Sequence, residues 1–427
     1  MVRPAALVIL FLSSIAQGAP SVPSLPPVSA APPSPETESP LALELHGYVQ
    51  SDAVLYAQSS EDQLTATTAE PLNQERILVR RARLQANVRK GPLLGWVEID
   101  GNTVRSPTLG LAAAEIGYLW SRTLPERSDL LHFSTGLLRI PFGAEVQEYD
   151  RERLFFERSN ISRALFPGTF DLAFRVQARW RSLVLQAAVM NGEPLGSGSL
   201  AGRDPTAAKD FVGRIGVTLA RGWIGIAGGV SVLQGTGFHA GTSATKDVLV
   251  WRDQNEDGIV QTSEIQIIPG KPATPSSTFH RFALGCDLRA TVALPRLGDG
   301  VLSAETVWAG NLDRALVPAD PVSSGRDVRE LGVVLGLTQQ IGSHVLAGVR
   351  YDWYNADLDA SDALPVRVVP VSAVYSTTAL LLGWRWSNLD RIAVELDLNR
   401  NPNGRTNAGL PTNLPSNTLT VRAQLAF

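Results

Sequence analysis

The clearest pattern in the chain is a strict alternation of polar and apolar residues over short segments. In residues 81–89 every odd position is polar and every even position is apolar, and residues 175–180 repeat this order. Residues 392–399 alternate in the same way, with one small residue on the polar side. A period of two places the two sets of side chains on opposite faces of a β-sheet. The pattern therefore predicts strands that have one apolar and one polar face.

The number and length of these segments separate two kinds of β protein. A soluble sandwich shows the same alternation in a single strand, whereas a membrane barrel repeats segments of about ten residues many times, with an apolar outer face and a polar lumen. Sixteen segments are present, which favours the barrel. The predicted strands cover residues 43–57, 76–90, 92–101, 110–121, 130–140, 170–180, 182–191, 210–220, 222–234, 278–294, 300–311, 327–340, 343–356, 371–386, 389–400 and 416–427.

The connections between the predicted strands alternate between short and long. Short ones follow even-numbered strands, at residues 91, 181–182, 221–222, 341–343 and 387–389. Most of those that follow odd-numbered strands are long, at residues 58–75, 141–169, 192–209, 235–277, 312–326, 357–370 and 401–415. An up-and-down barrel with both termini in the periplasm requires this parity, and a Greek-key sandwich does not. The sequence therefore predicts an all-β fold, a transmembrane antiparallel up-and-down β-barrel of about 16 strands over residues 41–427.

Aromatic residues agree with a membrane barrel, because they gather near the ends of the predicted strands. Such residues form two belts at the membrane interfaces of outer-membrane proteins. The predicted periplasmic belt contains Trp120, Trp180, Trp223, Trp384 and Trp386, and the opposite belt contains Trp308, Trp353 and Tyr354.

The N-terminal segment predicts export. Arg3 makes a short positive region, an apolar stretch runs over residues 5–12, and small residues end at Gly18. We interpret residues 1–18 as a secretory signal peptide. Residues 19–40 contain eight prolines, which predicts a semi-extended periplasmic linker without a packed core.

Composition excludes several classes of function. The chain has 427 residues, with 38 Lys and Arg against 41 Asp and Glu, so no basic footprint for nucleic acid is visible. Its single cysteine, Cys286, excludes an internal disulfide framework and a cysteine-based metal site. Cys286 alternates with Leu284 and Leu288, which places it on the lipid face. The five histidines are scattered and fall in no catalytic motif, so no enzyme is predicted.

The last predicted strand ends on an aromatic residue. Apolar residues at every second position lead to Phe427, the C-terminal residue. This ending resembles the signature by which the barrel-assembly machinery recognises outer-membrane proteins. We therefore expect Phe427 to contact that machinery, and the barrel to contact outer-membrane lipid.

Short motifs resemble the phosphate-selective porin O and P family. The opening strand, residues 47–52 (Gly-Tyr-Val-Gln-Ser-Asp), and residues 80–84 (Arg-Arg-Ala-Arg-Leu) resemble the start of that family. The best match is at residues 136–143 (Gly-Leu-Leu-Arg-Ile-Pro-Phe-Gly) and 154–159 (Leu-Phe-Phe-Glu-Arg-Ser), which resemble the stretch leading into the family's third loop. The resemblance implies a sixteen-stranded, usually trimeric porin in the outer membrane of a Gram-negative bacterium. It also implies a third loop that is folded into the pore and narrows it.

The charges of the third loop depart from the phosphate-binding members of that family. Those members rely on lysines as well as arginines, and here only four of the 38 basic residues are lysine. Residues 141–169 hold four arginines and five acidic residues, a local charge of −1. Phosphate specificity therefore does not carry over, whereas general porin function does. The predicted constriction-loop residues are Glu145, Glu148, Asp150, Arg151, Arg153, Glu157, Arg158 and Arg163.

The alternation also predicts which charged side chains line the lumen. They are Arg81, Arg83, Arg89, Glu98, Asp100, Arg139, Arg175 and Arg179. Arginines on the wall that face carboxylates on the loop would either create a transverse field or brace the loop against the wall, and both arrangements are compatible with the sequence. A pore works by its radius and its lining charge. We predict a water-filled channel for passive diffusion of small hydrophilic solutes and ions with weak selectivity, and anions such as phosphate are candidate solutes. The alternative is a structural or enzymatic barrel without channel activity.

The longest predicted loop contains a motif for calcium. Residues 253–264 match the twelve-residue EF-hand loop, with Gly258 at position 6, where a sharp turn is needed. Because hard oxygen ligands at these spacings suit Ca²⁺, we expect a structural calcium site in an extracellular loop. The flanking residues 248–251 and 265–268 predict strands, so the site would be clipped across a β-hairpin. A solvated acidic turn is the alternative. The predicted ligands are Asp253, Asn255, Asp257, the carbonyl of Ile259, Gln261 and Glu264.

Overall fold

The structure is a computed structural model that describes residues 41–57, 75–104, 106–124, 127–195, 204–295, 297–363, 368–370, 373–400, 404–405, 411–412 and 417–427. The predicted signal peptide and linker lie outside the described residues. In chain order the strands are β1 (Ala42–Ala57), β2 (Arg76–Lys90), β3 (Leu93–Asn102), β4 (Thr108–Leu124), β5 (Arg127–Arg139), β6 (Phe170–Trp180), β7 (Leu183–Met190), β8 (Asp210–Arg221), β9 (Ile224–His239), β10 (Val248–Trp251), β11 (Ile265–Ile268), β12 (Ser277–Leu294), β13 (Gly298–Gly310), β14 (Arg329–Ile341), β15 (Val345–Asn355), β16 (Ser361–Ala363), β17 (Val368–Pro370), β18 (Val374–Arg385), β19 (Arg391–Arg400), β20 (Gly404–Arg405), β21 (Pro411–Thr412) and β22 (Thr418–Ala426).

Sixteen of these strands close into one antiparallel barrel. Each is paired with its neighbours in the order β1 to β9, β12 to β15, β18, β19 and β22, and β22 pairs with β1. The other six form the hairpins β10–β11, β16–β17 and β20–β21 in connecting segments. The prediction of an antiparallel barrel of about 16 strands is confirmed. The strands at residues 248–251 and 265–268, predicted as flanks of the calcium motif, are β10 and β11.

Two short helices occur in the described part of the chain, α1 (Asn160–Leu165) and α2 (Pro321–Ser324). Among the described residues, no helix has the length and apolar character needed to cross a membrane.

The barrel wall has an apolar outside, as its period of two requires. On β12, Leu284 and Leu288 are exposed, whereas Arg281 and Asp287 on the alternate positions are buried inside. Cys286 lies on the outer face with the two leucines, as predicted. The indoles of the predicted periplasmic belt are all exposed, and so is that of Trp308 near the other end.

The prediction that Tyr354 belongs to the aromatic belt opposite the periplasmic one is wrong. The Tyr354 side chain is fully buried inside the barrel, where its hydroxyl donates to a carboxylate oxygen of Asp313 at 2.8 Å. The neighbouring Trp353 and Tyr354 must point to opposite faces of β15, so only one of them can reach the membrane.

The lumen contains an apolar core that the third loop builds. Phe142, Ile161 and Phe166 from this loop pack with inward-facing residues of the wall and are nearly inaccessible to solvent. Two wall glycines allow the close approach. A Cβ atom on Gly285 would lie 2.9 Å from the Phe142 ring, and one on Gly332 would lie 2.6 Å from Ile161. The loop is therefore packed into the barrel as a fixed part of the fold.

Candidate functional site

The third loop connects β5 to β6 and crosses the lumen. Near its start, the amide of Gly143 donates to the hydroxyl of Ser231 on β9 at 3.0 Å. The amides of Ala144 and Glu145 donate to Glu305 on β13 at 3.2 and 3.0 Å. The loop then reaches the opposite wall, where it meets β1, β2, β19 and β22. It therefore divides the lumen, and the charges at this level belong to the loop as much as to the wall.

Asp150 is the centre of one ionic network between loop and wall. Its carboxylate lies 2.9 Å from Arg83 and 3.4 Å from Arg81 on β2, and 2.6 Å from Arg153 of the loop itself. Arg83 also contacts Glu98 at 3.0 Å and Asp100 at 3.2 Å on β3. Two residues predicted to line the pore, Arg81 and Arg83, therefore contact a predicted loop residue directly, and Glu98 and Asp100 join the network through Arg83.

Glu157 is the centre of a second network. Its carboxylate lies 2.7 Å from Arg80, 3.4 Å from Arg422 and 3.9 Å from Arg81. Arg422 on β22 is also held by Asp52 on β1 through two hydrogen bonds of 2.7 Å. Paired donation from a guanidinium to one carboxylate is the strong form of this interaction. The two strands that close the barrel are thus tied to each other and to the loop.

The arginines control the protonation of both loop carboxylates. Burial acts to raise the pKa of Asp150, but Arg81, Arg153 and Arg83 together hold that pKa well below its ordinary value. Burial likewise opposes ionisation of Glu157, and Arg80, Arg81 and Arg422 overcome it and lower the pKa of Glu157. A nearby positive charge favours the charged form of a carboxyl group. Both groups are therefore carboxylates at neutral pH.

Main-chain carbonyl groups of the loop are also held by the wall. Arg391 on β19 donates to the carbonyl oxygens of Arg151 and Arg153, and Gln424 donates to that of Arg151 at 2.8 Å. Arg350 on β15 donates to the carbonyl oxygen of Glu157 at 2.6 Å. Such bonds fix the backbone of the loop, because a carbonyl group has no rotamer freedom of its own.

Glu145, Arg158 and Arg163 were predicted in the constriction, and the structure gives them different surroundings. Glu145 accepts hydrogen bonds from the amide and the hydroxyl of Ser159, the residue that caps α1. Arg158 donates to the carbonyl oxygens of Phe166 and Pro167 at 2.6 and 2.9 Å, and burial lowers its pKa to about 10, with Arg153 acting in the same direction. Arg163, in the last turn of α1, is exposed.

Arg139, the last residue of β5, is buried where the third loop begins. Its guanidinium lies between two aromatic rings, 4.4 Å from the centre of Tyr149 and 4.6 Å from that of Phe170. It donates to the carbonyl oxygens of Val146 and Glu148 at 3.3 and 2.8 Å. A guanidinium stacked in this way is attracted to the faces of the rings. The structure therefore places Arg139 inside the packed loop.

The remaining predicted lumen residues lie apart from the two networks. Arg175 forms an ion pair of 2.7 Å with Glu115 on β4, a residue outside the predicted lumen set. Arg89 lies at the end of β2 beside the short turn to β3, where it donates to the carbonyl oxygen of Gly91 at 3.3 Å. Arg179 is half-buried on β6. In the described part of the chain, neither Arg89 nor Arg179 has a carboxylate oxygen within 4 Å.

Several residues of the networks were not predicted. Arg422 and Asp52 occupy polar positions of alternating strands, so the period could have identified them. Arg80 could not have been found in that way, because it is next to Arg81 and two neighbours should face opposite sides. The pairing of β1 with β2 explains why Arg80 departs from the alternation. Gln50 pairs with Arg81 and Ser51 with Val79, so Arg80 is the extra residue of a β-bulge. Bulges redirect side chains, and here both arginines reach the loop.

The predicted calcium ligands lie at the tip of the β10–β11 hairpin. A carboxylate oxygen of Asp253 accepts from the amide of Gly258 at 2.8 Å, and one of Asp257 accepts from that of Ile259 at 2.7 Å. The side-chain oxygen of Asn255 accepts from the amide of Asp257 at 3.3 Å. Gly258 has a φ of 70°, a conformation that favours glycine. The loop is thus folded through its own polar side chains.

Glu264, the predicted bidentate ligand, is buried and accepts hydrogen bonds from other residues of the hairpin. Its carboxylate accepts from the indole N–H of Trp251 at 3.0 Å and from the amide of Gln254 at 3.1 Å. Gln261 donates to Asp257 at 2.7 Å. Among the described residues, no three His, Cys, Asp or Glu side chains converge as a metal site. The calcium site therefore stays a prediction.

Solved structures with a similar fold are outer-membrane proteins. The outer membrane channel DcaP of Acinetobacter baumannii aligns with a TM-score of 0.53 at 12% identity, over 91% of this chain and 97% of that one. The anion-selective porin of Comamonas acidovorans gives 0.49 at 10% identity over 91% and 100%. The outer membrane protein OmpT of Vibrio cholerae in its trimer form gives 0.49 at 10% identity over 91% and 99%. No protein-family model and no curated protein sequence matches the chain. At such identities, the likeness to DcaP shows the barrel fold alone.

Proposed function

We propose that this chain is a porin of the outer membrane of a Gram-negative bacterium, a channel for passive diffusion of small hydrophilic solutes and ions. The observation that carries the proposal is a closed barrel with an apolar outside and charged side chains inside, crossed by a loop that is tied to the wall. A charged and partly hydrated lumen is the ordinary interior of a diffusion channel of this size. Resemblance of the third-loop motif to porins supports the same function.

The selectivity of this channel is proposed to be weak. Asp150 and Glu157 lie in direct contact with the arginines of the wall, so positive and negative charge largely cancel at the level of the loop. A net field strong enough to exclude one ion sign needs charge of one sign in excess. Phosphate specificity is not part of the proposal.

Planar lipid bilayers test this function directly. The purified full-length protein should form open channels, and a salt gradient should give a reversal potential close to zero. A silent barrel that is correctly folded by circular dichroism would favour the structural alternative. A strong anion preference with saturable block by inorganic phosphate would contradict weak selectivity and restore a phosphate-specific channel.

The quaternary structure expected from the family resemblance is a homotrimer. Analytical ultracentrifugation of the detergent-solubilised protein measures it, and a monomeric mass would contradict it. Channel formation does not depend on this result, because each barrel is closed by its own strands.

We also propose that the tip of the β10–β11 hairpin binds Ca²⁺, with a structural role. The specific observation is that the side chains at motif positions 1, 3 and 5, Asp253, Asn255 and Asp257, all turn toward amides of the loop itself. Hard oxygen donors would thus be held close together, which is what Ca²⁺ requires. Rearrangement of Glu264 away from Trp251 would complete the ligand set.

A further inference from the structure

The third loop carries two carboxylates that contact the arginines of β2. We infer that Asp150 and Glu157 determine the ion selectivity of the channel by neutralising Arg80 and Arg81. This inference rests on the proposed porin function, and it names the residues on which the selectivity depends.

Among the described residues, both ionic partners of Arg81 belong to the loop. Asp150 lies 3.4 Å from its guanidinium and Glu157 lies 3.9 Å away. On the wall, the side-chain oxygen of Gln50, a neutral residue, accepts a hydrogen bond from Arg81 at 3.1 Å. Within the described residues, no wall carboxylate lies within 4 Å of Arg81.

Arg80 depends on the loop in the same way. Its guanidinium lies 2.7 Å from Glu157, the one carboxylate within 4 Å of it in the described part of the chain. A quarter of the Arg80 side chain is exposed, so its charge is felt by ions in the lumen. Because a β-bulge adds Arg80 to the same face as Arg81, two neighbouring positive charges depend on two loop carboxylates.

Of the other arginines in the networks, Arg153 of the loop keeps Glu148 at 3.4 Å, and the two on the wall keep carboxylate partners on the wall. Arg83 is within 3.2 Å of both Glu98 and Asp100 on β3. Arg422 has two hydrogen bonds of 2.7 Å to Asp52. Loss of a loop carboxylate leaves these two arginines neutralised. An effect of the loop carboxylates on selectivity must therefore act through Arg80 and Arg81.

Replacing the two loop carboxylates by amides removes their charge and keeps their shape. In the variant Asp150→Asn, Glu157→Gln, the loop keeps side chains of the same size, and amide oxygens can still accept hydrogen bonds from the guanidinium groups. The positive charges of Arg80 and Arg81 are then no longer balanced. One unit charge at about 10 Å in a water-like dielectric changes the local concentration of a small ion by about twofold.

The experiment measures reversal potentials in planar bilayers at low ionic strength, where screening is weakest. The double amide variant should raise the ratio of anion to cation permeability by about fourfold for each unbalanced arginine, because anions are enriched and cations depleted by about twofold each. Its single-channel conductance should stay close to that of the parent protein. The matched control is Glu256→Gln, which removes one carboxylate from the exposed hairpin tip and should leave the permeability ratio unchanged.

A second pair of substitutions tests the assignment to Arg80 and Arg81. Adding Arg80→Gln and Arg81→Gln to the double amide variant should return the permeability ratio to the parent value. If the double amide variant does not assemble, Arg80→Gln and Arg81→Gln alone give the opposite test, since the uncompensated carboxylates should then favour cations.

The outcomes distinguish the inference from the proposed function. A silent parent barrel overturns both. A conducting parent whose permeability ratio is the same as that of the double amide variant overturns the inference and leaves the porin function intact. The permeability ratio of the double amide variant could also shift together with a higher conductance, without being restored by the arginine substitutions. That result would show that the loop has moved, and it would overturn the inference.

Discussion

Gly47 and Phe427 pair across the seam where the barrel closes. The amide of Gly47 donates to the carbonyl oxygen of Phe427 at 2.8 Å, and the amide of Phe427 donates back at 2.9 Å. The aromatic ring of Phe427 lies over the Cα of Gly47, where a Cβ atom would be 2.4 Å from the ring. A Cβ there would also lie 2.9 Å from the carbonyl oxygen of Arg83 on the next strand. The Phe427 ring is therefore packed on a site that only glycine leaves open.

Gly47→Ala should weaken closure of the barrel. The methyl group must displace the Phe427 ring or the backbone of β2, and overpacking of this kind costs about 1–3 kcal/mol. Heat-modifiable migration on gel electrophoresis measures the temperature at which the folded barrel is lost, and we expect a lower temperature for the variant. Gly110→Ala on β4 is the control, since a Cβ there meets no atom within 4 Å. Equal lowering by both substitutions would show that the Phe427 contact is not responsible.

Removal of the third-loop segment should enlarge the pore. Deleting residues 147–163 takes away the part of the loop that crosses the lumen to β1, β2 and β22. We expect higher single-channel conductance in bilayers, and lower thermal stability because Ile161 no longer packs on β14. A correctly assembled deletion variant with unchanged conductance would show that the loop does not limit the pore.

Acid should leave the loop networks intact down to about pH 4. A carboxyl group whose pKa is lowered by folding contributes stability that is present above its unfolded pKa and lost as the pH falls through the lower folded value. Asp150 and Glu157 are of this kind. The difference in permeability ratio between the parent and the Asp150→Asn, Glu157→Gln variant should therefore persist at about pH 4, near the ordinary pKa of a carboxyl group. Its disappearance between about pH 6 and pH 4 would contradict the lowered pKa values.

The sequence predicted the wall of this protein well and its interior poorly, for one physical reason. A strand half exposed to lipid must alternate, so β12 or β19 is visible as a pattern without any knowledge of its partners. The third loop follows no period. Its phenylalanines pack against wall glycines such as Gly285. No sequence pattern distinguishes these glycines from the others in the chain.

The two ionic networks were predictable in part. Asp150 and Arg83 were identified as loop and wall charges, but which of them meet depends on the path of the loop. The transverse field and the bracing of the loop remained open alternatives from sequence, and the direct contacts favour bracing. Arg80 was hidden because a bulge overrides the alternation.

Calcium should order the hairpin tip. The loop of residues 253–264 holds Asp253 and Asp257 toward its own amides, and Ca²⁺ would replace amide hydrogens as the partner of their oxygens. Calorimetric titration of the full-length protein should give a Kd of about 10⁻⁴–10⁻³ M, as in extracellular modules. Calcium should also slow proteolysis of the exposed tip, where Ile259 and Val260 are more than half exposed.

The variant Asp253→Asn, Glu264→Gln should lose both responses to calcium, because it removes two of the charges that bind the cation. Glu256→Gln, in the same loop but outside the predicted ligands, is the matched control and should respond as the parent does. Since Glu264 also accepts from the indole of Trp251, its substitution alters the fluorescence of that residue whether or not calcium binds. The decisive quantity is therefore the heat of titration. If the double variant and the parent release the same heat on addition of calcium, the tip does not bind the cation, and the motif is a solvated acidic turn.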